Sequence, residues 1–423
     1  MRNTIQWLNS LSTRPSLEAA VTEVVTKIKD SLSGTPDFGI IFISAAYSSE
    51  YPRLVPLILE QLPIKFLIGC DGGGIVGVNS GDQIQEVEQN PALSLSVAYL
   101  PDIEINPFHI RVSDIPDLDS PPDHWINLIG VKPEKEPEFI LLSDPFTSKI
   151  NDLLAGLDFA YSNSTKVGGL ASSGMMGALN GLFYHTPDVG TQLYREGTIG
   201  VALSGNISFD TIVAQGCKPI GEPYQITKRE RNIILELAQI DDSGLEIRPR
   251  PPLEILRDVI QGLSEEDRIL AQNSLFIGIV RDEFTLKLKA GDFLIRNVLG
   301  VEPRTGAIAI GERIRPGQRV QFHLRDAQTS AEDLDDLLKD YTSENSKQKN
   351  DQNNQVIGSL IFSCLGRGQG LYSKPNFDSH LFENYIPNIP LSGFFCNGEI
   401  GPIGEQTFLH GYTSVFCIIR SSN

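Results

Sequence analysis

Apolar runs that break into glycine-rich turns restrict the fold of this chain more than any other feature. The two clearest lie at residues 359–368 and 391–401, and each turn carries a cysteine together with charged or amide side chains. Such runs are typical of buried strands, and ligands bind at strand ends in layered α/β proteins. Glycine suits these turns because it tolerates positive φ and lets a ligand approach the backbone. The pattern therefore predicts the wall of a ligand pocket.

One order of elements recurs three times along the chain. Units beginning at Gly39, Phe139 and Leu360 each read as a strand, a helical stretch, a second strand with a glycine-rich turn, and a closing strand. Repeated β-α-β units favour sheets covered by helices. The alternative is the alternation of strands and helices that any α/β protein shows. A glycine-rich turn at the same place in each unit favours a true duplication of the unit. The predicted fold class is α/β, with layered β-sheets, covering helices and two related halves built from repeated strand-helix-strand units.

Length and local composition predict the domain organisation. A chain of 423 residues is too long for one ordinary core. The amphipathic helix within residues 1–35 is expected to pack on a first domain at 36–225. A second domain at 226–423 should contain a β-meander and a polar loop at 341–355. Helix starts of the S-x-x-D type at Ser264 and Ser330 bracket the meander.

Charge and cysteine usage limit the partners and the compartment. The net charge of −18 opposes binding to nucleic acid or anionic lipid, and the chain has no run rich in lysine and arginine. The longest uncharged apolar run, residues 38–49, is shorter than the ~20 residues that span a bilayer. Five scattered cysteines and an N-terminus unlike a signal peptide fit a reducing compartment. We expect a cytoplasmic protein without a membrane partner.

The sequence lacks most of the motifs that mark enzymes and cofactor sites, or contains them in the wrong context. Gly72, Gly74 and Gly77 match G-x-G-x-x-G, but turn-like residues follow where a dinucleotide site needs a helix. Neither a P-loop nor a serine-hydrolase elbow occurs, and six scattered histidines lack metal-ligand spacing. We therefore expect no catalytic residues, no cofactor and no metal.

A cysteine nucleophile is the strongest catalytic alternative. Cys364 lies three residues before Arg367 in a glycine-rich turn, where a cation and backbone amides can lower the pKa of a thiol. His380 or His410 would serve as the base if the fold brings one of them near. A buried cysteine that packs as a small apolar residue is the more ordinary interpretation.

The glycine-rich turns resemble those of the FIST family, the F-box and intracellular signal transduction proteins. The resemblance is carried by stretches spread over residues 15 to 420, namely 69–73, 166–171, 292–297, 362–368 and 390–401. It implies FIST N-like and FIST C-like domains at 36–225 and 226–423. FIST domains are regarded as small-ligand sensors, with amino acids as the suggested ligands. They are joined to signalling outputs in many bacteria, and they follow an F-box in eukaryotes.

The resemblance fills this chain, which therefore looks like a stand-alone form without a kinase, chemoreceptor or F-box segment. Output would then pass through a signalling partner or a homo-oligomer. The predicted function is a non-catalytic sensory protein that binds a small polar ligand, such as an amino acid, at the glycine-rich strand ends. Two alternatives stay open: a protein-interaction adaptor acting through the FIST C-like domain, and a cysteine-dependent enzyme using Cys364.

The side chains at these turns suit a ligand that carries both charges. Arg367 and Arg296 offer forks for a carboxylate, and Asn397 both donates and accepts hydrogen bonds. Glu399 or Asp71 can hold an ammonium group. An ion pair between Arg367 and Glu399 that ties two turns is the structural alternative. The predicted ligand-binding residues are Cys364, Arg367, Asn397, Glu399, Cys70, Asp71, Gly168, Gly169, Arg296 and Asn297.

Overall fold

The computed structural model describes residues 5–173, 180–240, 246–281, 283, 285, 287–288, 290–347 and 354–422. The chain divides into two compact units, residues 1–214 with 335–423 and residues 215–334. The domains expected at 36–225 and 226–423 remain predictions, because a sequence domain and a compact unit need not share boundaries. Of the predicted polar loop, residues 341–347 are helical and residues 348–353 lie outside the described residues.

The larger unit begins with an alternation of strands and helices. In chain order it contains β1 (Gln6–Ser12), α1 (Leu17–Ser31), β2 (Phe38–Ser44), α2 (Tyr51–Gln61), β3 (Phe66–Gly72), β4 (Ile75–Val78), β5 (Ile84–Val87), β6 (Leu93–Tyr99), β7 (Glu104–Ile110), α3 (Pro122–Ile129), β8 (Glu138–Ser143), α4 (Ile150–Ala160), β9 (Lys166–Leu170), β10 (Leu182–Thr186), β11 (Gly190–Tyr194), β12 (Thr198–Ser204) and β13 (Ile207–Ala214).

The smaller unit is rich in strands. It contains β14 (Lys218–Glu230), β15 (Ile233–Ile240), β16 (Glu246–Arg250), α5 (Pro252–Gln261), α6 (Glu265–Ala271), β17 (Leu275–Val280), β18 (Phe293–Glu302), β19 (Ala307–Ile310) and β20 (Arg319–Leu324). The unit boundary falls within α7 (Ala327–Lys347). The larger unit then continues with β21 (Asn354–Cys364), α8 (Gly368–Tyr372), α9 (Phe377–Tyr385), β22 (Leu391–Cys396), β23 (Glu399–Ile403), β24 (Gln406–His410) and β25 (Ser414–Ser422).

The three six-stranded sheets of the larger unit share one order of strands. They run β1-β6-β2-β3-β10-β11, β7-β12-β8-β9-β23-β24 and β13-β25-β21-β22-β4-β5. In each sheet the two central strands are parallel, as β2–β3, β8–β9 and β21–β22, and one or two helices connect them along the chain. The hairpin that follows each parallel pair joins a different sheet. The three sheets are therefore interlocked by exchanged hairpins.

Alternate residues of the central strands pack into two different cores. On β2, Ile40 and Phe42 belong to a core shared with residues of all three sheets, whereas Ile41 and Ile43 pack against α1 and α2. Strand β8 divides its side chains in the same way between the shared core and a layer under α3 and α4. Both faces of these strands are covered, which explains why they read as continuous apolar runs.

The smaller unit has a seven-stranded antiparallel sheet of order β14-β20-β17-β18-β19-β15-β16. An additional pairing of β14 with β15 closes six of these strands into a barrel around a separate apolar core. The expectation of a mixed α/β protein with several sheets is thus confirmed. The expectation of two related halves built from repeated units remains a prediction.

No helix in the part of the chain that the structure describes is both long and apolar enough to cross a bilayer.

Candidate functional site

The glycine-rich ends of the three parallel strand pairs meet in the larger unit. The Gly73 amide, just after β3, donates to the Ser172 hydroxyl at 2.9 Å and to the Phe395 carbonyl at 3.2 Å. The Asn397 amide, just after β22, donates to the Leu170 carbonyl at 3.1 Å. The structure therefore brings together the turns that carry the predicted residues Cys70 and Asp71, Gly168 and Gly169, and Asn397 and Glu399.

The glycines on β9 serve close packing at this junction. A Cβ atom on Gly168, whose φ is +153°, would lie 1.8 Å from the Leu141 carbonyl oxygen. A Cβ atom on Gly169 would lie 3.0 Å from the Cys396 sulfur. Gly168 needs to be glycine because the backbone of β8 occupies the space of a side chain there, and Gly169 because the Cys396 side chain does. Their assignment as ligand-binding residues stays a prediction.

Asp71 is the most unusual side chain at the junction. It is fully buried, and its Oδ1 accepts a hydrogen bond of 3.0 Å from the Gly181 amide. Its Oδ2 has no hydrogen-bond partner among the described residues. Burial raises the pKa of Asp71 to about 7, although the Gly181 amide and the Arg195 guanidinium both favour its charged form. The carboxyl group can therefore gain or lose a proton near neutral pH.

Three polar groups that the sequence analysis did not select lie around Asp71. The buried Tyr51 hydroxyl lies close enough to Asp71 for a hydrogen-bonding interaction that lowers the pKa of Asp71, although neither this hydroxyl nor Asp71 Oδ2 has a partner of ordinary geometry among the described residues. The Arg195 guanidinium lies 5.9 Å from the Tyr51 ring centre and donates to the Asn180 carbonyl at 2.8 Å. Sequence spacing gives no signal for them, because α2, the residue after β11 and the turn before β10 meet only in the folded chain.

A second buried carboxyl group, Glu399, lies beside two cysteines. It accepts a hydrogen bond from the Thr413 amide at 3.0 Å, and the Cys396 thiol can donate its single proton either to it at 3.7 Å or to the Ser363 carbonyl at 3.3 Å. Burial raises the pKa of Glu399 to about 8, although these donors, the nearby Arg367 and the Cys364 thiol all favour its charged form. Burial also raises the pKa of the Cys396 thiol. Cys396 is therefore an inert, packed thiol.

Cys364 is half-buried, and its sulfur accepts a bond of 3.5 Å from the Gly366 amide. Of the two proposed bases, His410 is buried and its Nε2 donates to the Gly401 carbonyl at 3.0 Å. That nitrogen carries a proton in this arrangement and cannot accept one. The other base, His380, lies on α9 and is exposed.

Arg367 is fully buried and forms a two-point ion pair with Asp378 of α9. Its Nε donates to Oδ2 at 2.7 Å and its Nη2 to Oδ1 at 3.0 Å. Nη2 also donates to the Tyr372 hydroxyl at 2.5 Å. The ion pair expected between Arg367 and Glu399 is therefore wrong in its partner, because Arg367 pairs with Asp378 instead. The predicted carboxylate-binding role of Arg367 would require this pair to open.

The remaining predicted residues lie in the smaller unit. Arg296 is mostly buried on β18, and its Nη2 lies 2.9 Å from the Glu312 carboxylate. Asn297, the next residue, is exposed. The larger unit thus contains eight of the ten predicted site residues and the smaller unit the other two. Within the described parts of both units, His, Cys, Asp and Glu side chains form no group of three that can hold a metal ion.

Fold and site together define a mixed α/β protein whose glycine-rich strand ends surround buried ionisable side chains. The chain belongs to the FIST family. Residues 37–239 match the FIST N domain and residues 252–402 match the FIST C domain. FIST domains are in general sensory and signal-transduction domains.

Relatives of this chain occur in bacteria and in plants. An uncharacterised protein of Mycobacterium tuberculosis strain H37Rv is 33% identical over 407 residues, which is 96% of this chain and 97% of that protein. An F-box/LRR-repeat protein of Arabidopsis thaliana is 26% identical over 240 residues, which is 52% of this chain and 44% of that protein. The solved structure of cyanuric acid hydrolase from A. caulinodans aligns over 99% of this chain and 100% of its own, with 8% identity and a TM-score of 0.32.

Proposed function

We propose that this protein is a non-catalytic sensory protein that binds a small polar ligand, of the amino-acid type, at the junction of strand ends beside Asp71. The observation that carries the proposal is the unpartnered Oδ2 of this fully buried carboxyl group. A buried polar group without a partner costs free energy, and few native groups are left in that state. An ammonium group placed against Oδ2 would remove that cost and hold Asp71 in its charged form.

The surroundings of Asp71 supply groups for the rest of such a ligand. Arg195 carries the positive charge that a ligand carboxylate needs, and the Tyr51 hydroxyl offers a neutral donor and acceptor. A polar ligand bound among convergent groups of both charges is typical of small-molecule sites. The mixture favours a zwitterion over a simple anion or cation.

The position of the junction supports a signalling role. The three turns that meet there belong to three sheets that exchange hairpins. We propose that each turn belongs to one of the repeated strand-helix-strand units expected from the sequence. A ligand that ties the turns together would stabilise one arrangement of the three sheets over others. We expect the output to pass through a signalling partner or a homo-oligomer. All five cysteines are free thiols, which supports a reducing cytoplasm.

A protein-interaction adaptor is the second candidate. Three apolar side chains in the matched FIST C region, Leu299 and Val301 of β18 and Ile269 of α6, are exposed, at 62%, 45% and 59% of their surface. Contiguous exposed apolar patches mark protein interfaces, and these three residues are candidates for one. The Arabidopsis relative is an F-box/LRR-repeat protein, which is compatible with such a role. A thiol enzyme using Cys364, with Glu399 beside it, is the remaining alternative.

A thermal-shift screen against amino acids, nucleotides and small organic acids tests the first candidate. A ligand at about 100 times its Kd should add about 2.7 kcal/mol and raise the unfolding midpoint by a few degrees. Asp71→Asn should lose that shift, because an amide cannot neutralise an ammonium group.

Glu138→Gln is the matched control. Glu138 is also a buried carboxyl group whose pKa burial raises to about 7, but it accepts hydrogen bonds from the Thr165 and Phe209 amides. This variant should keep the shift. An equal shift in folded Asp71→Asn would overturn the assignment of Asp71. No shift from any ligand with folded wild-type protein would refute the sensor hypothesis for those ligand classes.

A further inference from the structure

A groove of about 600 Å³ on the larger unit lies apart from the junction of strand ends. Its walls come from β5, from the segment 88–91, from Thr13 and Pro15 before α1, from Gln369 of α8 and from the two residues before α9. Two carboxylates, Glu86 and Glu88, line it together with amide side chains that include Gln369 and Asn376. Among the described residues that line the groove there is no lysine, arginine or histidine.

Glu86 is held rigidly, but only one of its two carboxylate oxygens has a hydrogen-bond partner among the described residues. The residue is buried, with 7% of its surface exposed, and its Oε1 accepts a hydrogen bond of 2.7 Å from the Ser379 amide of α9. Its backbone amide donates to the Asn376 side chain at 2.7 Å, which fixes the end of β5. Oε2 has no hydrogen-bond partner in the described parts of the chain. Capping of α9 therefore accounts for one oxygen of Glu86 and leaves the other unexplained.

Glu88 and Asp378 add negative charge on the same side. Glu88 follows the end of β5 and lines the same groove as Glu86, and its Oε1 accepts a hydrogen bond of 2.8 Å from the Gln369 backbone amide. Burial raises the pKa of Glu86 to about 8, and the nearby Asp378 and Glu88 carboxylates contribute. Burial also raises the pKa of Glu88. The Arg367 guanidinium is bound to Asp378 of this cluster.

A metal ion is a poor occupant for this groove. The described residues contain no group of three carboxylate, cysteine or histidine side chains that can hold one. The space is also many times larger than a single ion needs, and amides line much of it. An organic cation fits both facts, because its charged end needs one or two carboxylates and its body can bond to the amides.

We propose that this groove is a second binding site, which takes an organic cation bearing a primary amine or a guanidinium group. The charged end pairs with the free oxygen of Glu86 and with Glu88, and the rest of the molecule lies along the amide side chains. Binding replaces the proton on Glu86 with the ligand's charge, so that ligand binding releases a proton. The site does not depend on the ligand proposed for Asp71.

Isothermal titration of the whole chain with agmatine, which carries both cationic groups, tests the proposal. Agmatine keeps its charges between pH 6.5 and 8.5, so only the protein changes protonation. Affinity should rise with pH, by up to about tenfold per unit below the pKa of Glu86. Glu86→Gln should weaken binding at least tenfold at pH 8.5 and remove most of this pH dependence, and Glu88→Gln should weaken it less.

One control variant separates this site from a general effect of losing a buried carboxyl group. Glu138→Gln, which removes such a group elsewhere, should bind agmatine as the wild type does. Unchanged binding in Glu86→Gln would overturn the proposal, as would an equal loss of binding in Glu138→Gln. Failure of folded wild-type protein to bind agmatine would overturn it as well. Tight binding of Mg²⁺ alone, abolished by Glu86→Gln, would replace the amine with a metal and overturn the assigned class.

Discussion

At the scale of single residues, the buried ion pair of Arg367 and Asp378 is the strongest structural interaction near the predicted site. Both side chains are almost completely enclosed, at 0% and 1% exposure, and two hydrogen bonds join them. Such a pair is expensive to bury but more expensive to break, because the remaining charge has no partner. Its main effect is therefore to fix the turn after β21 against α9.

Asp378→Ala should destabilise the protein by about 3–5 kcal/mol, because it leaves the Arg367 guanidinium buried beside a lost carboxylate. Urea unfolding measures the loss. Glu104→Ala is the control, since Glu104 pairs with Lys135 at the surface and should cost about 1 kcal/mol or less. If both variants lost the same small amount, the buried pair would not be holding the turn.

The sequence could identify Arg367 as important but could not identify its partner. The position of Arg367, three residues after Cys364 in a glycine-rich turn, indicates a role for its charge. The sequence also predicts an ion pair as one alternative, but with Glu399 as the partner. Asp378 lies on a helix with little periodicity of its own, and only the packing of α9 brings it to Arg367. Asp71 was selected for the same kind of reason, whereas Tyr51 and Arg195 reach it from distant elements.

At the scale of secondary-structure elements, the three parallel strand pairs share one packing device. Each places a glycine opposite an aliphatic residue, as Gly69 with Ile41, Gly168 with Leu141 and Gly393 with Ile361. A Cβ atom on these glycines would lie 2.4, 1.8 and 1.8 Å, in that order, from the carbonyl oxygen of the opposite residue. The three strand pairs thus agree in strand order and in this contact.

Gly393→Ala should cost about 3 kcal/mol or more, because the added methyl group meets the rigid backbone of β21 and the strands must move apart. Thermal and urea unfolding would show the loss. Gly411→Ala offers a control in the same unit, because a Cβ atom there has no neighbour within 4 Å among the described residues. A stable, native-like Gly393→Ala protein would show that the parallel pairs have more room than their geometry indicates.

The elements themselves were predictable where the pattern was local. Two strands of the predicted meander, Leu275–Val280 and Arg319–Leu324, coincide with short apolar runs in the sequence. Ser264 caps α6 as expected, by accepting a bond from the Asp267 amide. Ser330 instead lies inside α7, and β1 was missed because its polar residues hide the strand. The exchange of hairpins was beyond prediction, since an apolar strand pattern does not specify its pairing partner.

At the scale of the whole molecule, buried carboxyl groups determine how stability depends on pH. Burial raises the pKa of Asp71 and Glu138 to about 7, and that of Glu86 and Glu399 to about 8. In the unfolded chain such groups ionise near pH 4. Between those values the native state binds more protons than the unfolded state, so stability must fall as pH rises. The net charge of −18 acts in the same direction through self-repulsion.

We therefore expect the unfolding midpoint to rise as the pH is lowered from 8.5 to about 6.5. Buried His323 limits the gain, because burial lowers its pKa to about 4, and its contribution to stability is lost as pH falls from about 6.5 toward that value. Thermal unfolding from pH 5 to 9 at constant ionic strength measures the profile. Glu399→Gln should flatten its alkaline side, since an amide cannot ionise, whereas the exposed Glu405→Gln should not. A midpoint that is constant or rises from pH 6.5 to 8.5 would show that these carboxyl groups are charged in the native protein, each with a compensating partner.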